Sequence, residues 1–300
     1  MSTMSPDEKK PLASVIILTW NSEPFINLCL ESLSSQTYPN KEIIIVDNAS
    51  MDGTLARLRA SPFRQIVTKV ITNEKNLGCA GGNNIGWRAS TGEMVVILNP
   101  DTVVAKTWLE ALVQALETDR RAAIAGCKIY YPNSHIIQHA GGILYPNGMT
   151  THYGNGEEDR GQYDELRDVD YVTGASLAVR RDFLESIGGF DEDYFPAYYE
   201  ETDICYKAHR RGYKVLYVPQ AVLYHYESPG LNKTSPQFHK TYYKMRMRFL
   251  FKNCSLWKLL TRSLPFEIRW TLCVPDARGF RLMQMRALAQ GLWFLITRQR

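Results

Sequence analysis

The chain has 300 residues, 45% hydrophobic and 22% charged, which is enough to bury a large core and is unlike a disordered or collagen-like composition. Its six cysteines form no CxxC pair and no metal-ligand spacing, which argues against a zinc module and reads as reduced thiols in a cytosolic compartment. The net charge of +4 is uneven: from Lys240 onward thirteen basic residues stand against two acidic ones, so an acidic body carries a basic tail.

The opening MSTMSPDEKK has no apolar segment behind a basic one. It reads as a disordered tail over residues 1–11 and not as a secretory signal. No window reaches the ~18 uncharged apolar residues of a membrane-spanning helix. Residues 14–18 (SVIIL) predict a first strand, and the polar Thr19, Trp20, Asn21 and Ser22 are expected to open a helix from Glu23 to Ser35. A second strand, Glu42 to Val46, ends at Asp47 and leads through a polar loop to a short helix. A third strand near Val67 to Ile71 leads to NEKNLGCAGGNNIG, residues 73–86. This run is expected to be a loop whose glycines admit close backbone approach and whose asparagines offer donors and acceptors, ahead of a helix from Asn83 to Ala89. It is not a dinucleotide fingerprint, and no GxxxxGK[ST] phosphate loop occurs. Strand and helix alternate as in a parallel sheet with right-handed crossovers.

The chain is organised around EMVVILNPDTVV, residues 93–104. Met94 to Leu98 predicts a strand covered on both faces, Pro100 ends it, and Asp101 is left at its tip. Ligands of open α/β sheets bind beyond the carboxyl ends of the strands. Asp101 there is either a ligand-binding carboxylate or a cap for the helix expected from Thr107 to Glu117. Ala122 to Tyr130 reads as a further strand, residues 132–168 as a hairpin and long loop, and Val169 to Arg180 as one extended stretch broken at Gly174. Residues 198–213 predict a helix with Glu200, Glu201 and Asp203 at its start. That polarity suits the helix dipole, and it equally suits a general base. After a strand, Val215 to Val218, comes His225, either a packed residue or a metal ligand. Ser235-Pro236 opens a helical tail expected to break at Pro265 and Pro275 and to resume from Phe280 to Thr297. The tail fits an anionic membrane surface, a lid on the body or a dimer contact.

VIILTWNS, IIIVDNASMDGT, NEKNLGCAGGNNIG, VVILNPDT, VTGASLAVRRDFLESIGGFDE, YYEETDICYKAHRRGY and VLYHYE resemble, in order and spacing, the family 2 glycosyltransferases and especially their bacterial rhamnosyltransferase-like members. The resemblance covers about residues 12–230. It implies a mostly parallel nucleotide-sugar-binding sheet flanked by helices, the glycosyltransferase A type, with a donor half over 12–104, an acceptor half over 105–230 and a basic amphipathic helical appendage over 231–300. It further implies that Thr19, Asn21 and Asp47 hold the nucleoside, that Asn76, Gly78 and Asn83 form the adjoining loop, and that Asn99 and Asp101 belong to the metal motif. Asp101 would bind Mg²⁺ or Mn²⁺, with His225 able to complete the coordination. Glu201, beside Glu200, falls on the general base of an inverting transfer. Asn99 stands where many relatives carry Asp, and Glu201 where Asp is common.

The expected partners are a dTDP- or UDP-linked sugar, rhamnose among the candidates, and a saccharide or lipid-linked acceptor near Gly174, Asp191 and the loop from Asn133 to Asp168. The expected location is cytoplasmic and peripheral, at the inner face of a membrane. Nucleic acid is not an expected partner. The alternatives are a nucleotide-sugar-binding scaffold without turnover and a sugar nucleotidyltransferase, whose triphosphate loop is missing after the first strand.

Overall fold

The computed structural model describes residues 10–227 and 235–273. Residues 1–9 of the tail expected over 1–11, Pro275 and the expected helix from Phe280 to Thr297 lie outside this range. Strands Ala13–Thr19 (β1), Lys41–Asp47 (β2), Lys69–Thr72 (β3) and Met94–Leu98 (β4) form a parallel array in the order β3-β2-β1-β4. They alternate with helices Ile26–Ser34 (α1), Thr54–Arg59 (α2) and Gly78–Arg88 (α3). The second half supplies Thr102–Val104 (β5), helix Trp108–Thr118 (α4), Ala122–Tyr130 (β6), Ile137–His139 (β7), the hairpin Gly142–Leu144 (β8) and Thr150–His152 (β9), Arg167–Asp168 (β10), Ser176–Arg180 (β11), helices Arg181–Ser186 (α5) and Glu200–Arg210 (α6), and Lys214–His225 (β12).

Side chains alternate across each strand. Val15 and Ile17 therefore pack with Leu30 of α1 and Trp108 of α4 on one face, while Ile16 and Ile97 pack with Trp87 of α3, Phe183 of α5 and Ile204 of α6 on the other. The sheet is mixed: β11 lies antiparallel between β4 and β6, and β12 runs parallel to β6.

Several local expectations change. The glycine-rich run is helix from Gly78 onward, because its glycines let α3 lie close on β1. A Cβ on Gly82 would stand 2.3 Å from Leu18 Cδ1, and one on Gly86 would stand 2.2 Å from Ile16 Cγ2. Helix α1 begins three residues late and has no side-chain cap, since Asn21 and Ser22 bond to residues 50–54. Asp101 caps no helix, because β5 intervenes and Thr107 occupies the cap position of α4. Only Ser176 to Arg180 of the stretch from Val169 is strand.

Helix Pro236–Asn253 (α7) is capped by Ser235 Oγ, which accepts from the Phe238 amide at 3.1 Å. The tail breaks after Asn253, twelve residues before Pro265. Ser255 caps the next turn, Leu256–Lys258 (α8), which continues through a π turn, Leu259–Ser263, into Leu264–Cys273 (α9). Pro265 stands second in α9, directly after the π turn, and does not end the helical segment there.

Candidate functional site

The carboxyl ends of β2, β1 and β4 lie side by side, and the entry to β11 joins them because that strand starts at the same edge, with Ser176 opposite Leu98. At the first two ends a polar cluster forms. Thr19 Oγ1 donates to Asp47 Oδ1 at 3.0 Å, Ser50 Oγ donates to the same oxygen at 2.6 Å, and the Ser50 amide donates to Oδ2 at 3.0 Å. A carboxylate offers about four acceptor sites, so Oδ2 keeps acceptor capacity beyond these three bonds. Ser50 Oγ also accepts from the Asn21 amide at 2.9 Å, and Asn21 Oδ1 accepts from the Met51 amide at 2.9 Å. Asn21 and Ala49 both adopt positive φ, 52° and 61°, a costly backbone state that clusters at ligand sites. Trp20, 55% exposed, leaves its indole open beside them.

Asn48 ties this cluster to α3. Its Nδ2 donates to Asn76 Oδ1 at 2.9 Å and its Oδ1 accepts from the Leu77 amide at 3.0 Å, while Asn76 Oδ1 also accepts from the Gly78 amide at 2.8 Å. Asn83, on α3, has a buried Oδ1 without a partner among the described residues.

Asp101 is buried and His225 reaches it across the β5–β12 ribbon, with Nε2 3.3 Å from Oδ1. His225 Nδ1 lies 2.8 Å from Gln138 Oε1, and Gln138 Nε2 donates to the His225 carbonyl at 3.4 Å. With Gln138 so oriented, its Oε1 faces His225 Nδ1 as an acceptor. At 3.3 Å, Nε2 and the Asp101 carboxylate are close enough to share a proton or a cation. Imidazole plus carboxylate suits Mn²⁺, and the amide that orients the ring is the usual support for a ligating histidine. Among the described residues no group of three His, Cys, Asp or Glu side chains gathers to hold a metal. Any ion here would draw its remaining ligands from phosphate and water, as Mg²⁺ commonly does. Asn99 donates its amide to the Ala175 carbonyl at 2.9 Å and so carries the β4–β11 ladder one step beyond β4.

That step brings the acidic pair to the same edge. A Cβ on Gly174 would lie 3.8 Å from the Glu201 carboxyl carbon, so the side chain of Glu201 rests over the Gly174 backbone. The Cys79 thiol at the start of α3 lies beside the Glu200 carboxyl, and the Cys79 amide donates to the Pro196 carbonyl at 2.8 Å. Tyr198 and Tyr199, at φ 82° and 73°, deliver the chain into α6. Burial pushes Glu201 up to about 7, against the opposing amides of Glu201 and Thr202. Burial and then the Glu201 charge push Glu200 well above the ordinary carboxylate range. A group titrating near neutrality is poised for proton transfer.

Asp191 and Asp203 are differently placed. Lys252 Nζ of α7 donates to Asp191 Oδ2 at 2.6 Å and to Asp203 Oδ2 at 2.8 Å. Burial raises the Asp191 carboxyl, but the Lys252 ammonium and the Asp193 amide outweigh it and hold it below its ordinary value. Thr19, Asn21, Asp47, Asn76 and Gly78 thus form one cluster, Asp101 and His225 a second, and Glu200, Glu201 and Gly174 a third. Asp191 is committed to α7. Ser50, Gln138 and Cys79 are the participants that sequence reasoning passed over. Ser50 follows an Asp-Asn-Ala turn that could have flagged it; Gln138 and Cys79 carry no local signal.

The model of glycosyl transferase family 2 matches residues 14–188. The y4gI protein of Sinorhizobium fredii is 31% identical over 236 residues, covering 74% of this chain and 25% of its own length. The chain thus spans a quarter of that relative, and it spans 18% of the O-antigen biosynthesis protein RfbC of Myxococcus xanthus, at 28% identity. An N-acetylglucosaminyl-diphospho-decaprenol L-rhamnosyltransferase of Mycobacterium tuberculosis is 28% identical, with 86% of this chain and 88% of the relative covered. Among solved structures, GalNAc-T7 with UDP, GalNAc and Mn²⁺ superposes with a TM-score of 0.65 at 22% identity, over 81% of this chain and 48% of that one. The mannosyltransferase PcManGT of Pyrobaculum calidifontis, with GDP-Man and Mn²⁺, superposes at 0.60 and 18% identity, over 95% and 88%. These likenesses establish the A-type fold, and the matched domain makes this chain a member of glycosyl transferase family 2.

Proposed function

We propose that the protein is an inverting glycosyltransferase that moves a hexose or deoxyhexose, rhamnose foremost, from a uridine or deoxythymidine diphosphate to a hydroxyl of a saccharide or lipid-linked glycan. The observation that carries this reading is the meeting of α3 with the acidic pair: Cys79 lies against Glu200 while Asn76 and Gly78, three residues and one residue before it, bond to the cluster around Asp47. A donor held at Asp47 then has its diphosphate near Asp101 and its sugar near Glu201.

In this reading Asp47 accepts the base imide proton and Asn21 and Ser50 shape the nucleoside pocket. Asp101 and His225 hold the divalent ion, which when bound offsets the charge on the departing diphosphate. Glu201 takes the acceptor hydroxyl proton as that oxygen bonds to the anomeric carbon, and the bond from that carbon to the diphosphate oxygen breaks. Burial raises both carboxyls of the pair, and Glu201, resting over Gly174, is the one assigned the transfer. A lipid-linked acceptor is favoured by the decaprenol-linked substrate named for the mycobacterial relative. A cleft of about 320 Å³ lined by Asn133, Ser134, His135, Tyr224 and Tyr226 supports the loop after Asn133 as part of the acceptor side.

The test is turnover of dTDP-rhamnose and UDP-N-acetylglucosamine with a polyprenyl-diphosphate glycan acceptor, followed by proton NMR of the product. A product with the anomeric configuration opposite to the donor's is expected. Retention of configuration, or release of nucleoside diphosphate that ignores Glu201→Gln, overturns the reading.

A further inference from the structure

We infer that the outer face of the α8–α9 segment is a docking surface for an anionic lipid bilayer. Leu256, Leu260, Leu264, Ile268 and Leu272 recur every fourth residue and, with Trp257, are between 41% and 76% exposed. Such spacing draws one stripe along a helical segment, roughly 24 Å long at 1.5 Å per residue. Single exposed leucines are ordinary, but a contiguous apolar run on a surface marks an interaction site.

The opposite face is already committed to the body. Glu267 accepts from the fully buried Arg246 at 2.8 and 3.0 Å and from Asn147 at 2.7 Å, and the Phe266 and Trp270 rings lie 5.7 and 5.5 Å from Tyr145. The stripe is therefore the face held outward.

Charge selects the occupant. Between Ser255 and Cys273 the basic residues are Lys258, Arg262 and Arg269, and the sole acid, Glu267, is spent on Arg246. Residues 274–300 add five arginines against Asp276. A second copy of this face, or that segment folded onto it, would set cation against cation. Anionic headgroups attract each basic residue by ~1 kcal/mol near the surface, and Trp is at home at that depth.

The inference rests on the proposed lipid-linked acceptor and names the surface that would hold the enzyme to it. Tyr242 and Phe249 of α7 pack on Tyr199, the neighbour of Glu200, with ring centroids 5.3 and 5.6 Å apart. One packed body thus joins the stripe to the base.

The experiment is flotation of the full chain with vesicles of phosphatidylcholine alone and of phosphatidylcholine mixed with phosphatidylglycerol. The protein should float with the mixed vesicles and not the neutral ones. Trp257→Ser with Leu260→Ser and Ile268→Ser, and separately Arg262→Glu with Arg269→Glu, should each weaken flotation by at least about tenfold. Variants that float like the parent, equal binding to neutral vesicles, or a dimer in light scattering that the serine variant disperses would each overturn the inference. UDP and dTDP titrations of the same samples separate the two readings. Lost flotation with intact nucleotide binding strikes only this surface, and the reverse strikes only the donor site.

Discussion

His225 and Asp101 face each other with Nε2 3.3 Å from Oδ1, while Gln138 Oε1 lies 2.8 Å from the far nitrogen of the His225 ring. The ring orientation therefore depends on an amide that touches no ligand. Gln138→Leu should weaken Mn²⁺-dependent nucleotide binding by about 10–100-fold, the usual cost of losing such support, and Gln138→Glu should restore most of it. Calorimetric titration reads both, and parental affinity in Gln138→Leu would free His225 of any role in holding the ion.

Glu201→Gln should cut turnover by about 10²–10⁴ and leave nucleotide affinity nearly unchanged. The base must be ionised, so kcat/KM should rise with pH and level off above about 7, the value to which burial pushes Glu201. Because the folded carboxyl binds its proton more tightly than the unfolded one, the stability it contributes is complete at acid pH and fades as pH passes 7. A flat pH profile between about 6 and 8, about one unit either side of that value, would remove Glu201 from the proton transfer.

Gly86→Ala tests the close approach of α3 to β1. Alanine gains about 1 kcal/mol of helix propensity, but its Cβ would stand 2.2 Å from Ile16 Cγ2, and overpacking costs about 1–3 kcal/mol. A net loss of stability in urea denaturation is expected. Gly174→Ala meets only ordinary contacts at 3.8 and 3.9 Å and should leave stability unchanged.

Glu267→Gln leaves the fully buried Arg246 guanidinium without its counter-charge. The expected loss is about 3–5 kcal/mol, whereas Arg246→Met with Glu267→Leu should recover most of it. Chemical denaturation of both variants decides the point.

The strands that build the site were legible because Val15 to Leu18, Ile43 to Val46 and Met94 to Leu98 are unbroken apolar runs that stop at polar residues. Asp101 could be singled out for the same reason. Of helix α3 only the part from Asn83 was legible, since the glycines at 78, 81 and 82 argue against a helix and only close packing, such as that of Gly82 on Leu18, reverses that preference. The reversed direction of β11 leaves no trace in a run from Val169 that reads as one extended stretch broken at Gly174. Gln138 and Cys79 meet their partners 87 and 121 residues along the chain, through strand pairing and helix docking that no local pattern encodes. The break of the tail at Cys254–Ser255 was masked by the more conspicuous Pro265.

The account stands on a donor site in which Asp47 receives the base and Asp101 the ion. Isothermal titration of the full chain and of Asp101→Asn with UDP and dTDP, each with and without Mn²⁺, tests it most directly. The parent should bind one nucleotide in a metal-dependent manner, and Asp101→Asn should lose that dependence together with most of the affinity. Binding of neither nucleotide under either condition, or equal metal-dependent binding by Asp101→Asn, would contradict the account.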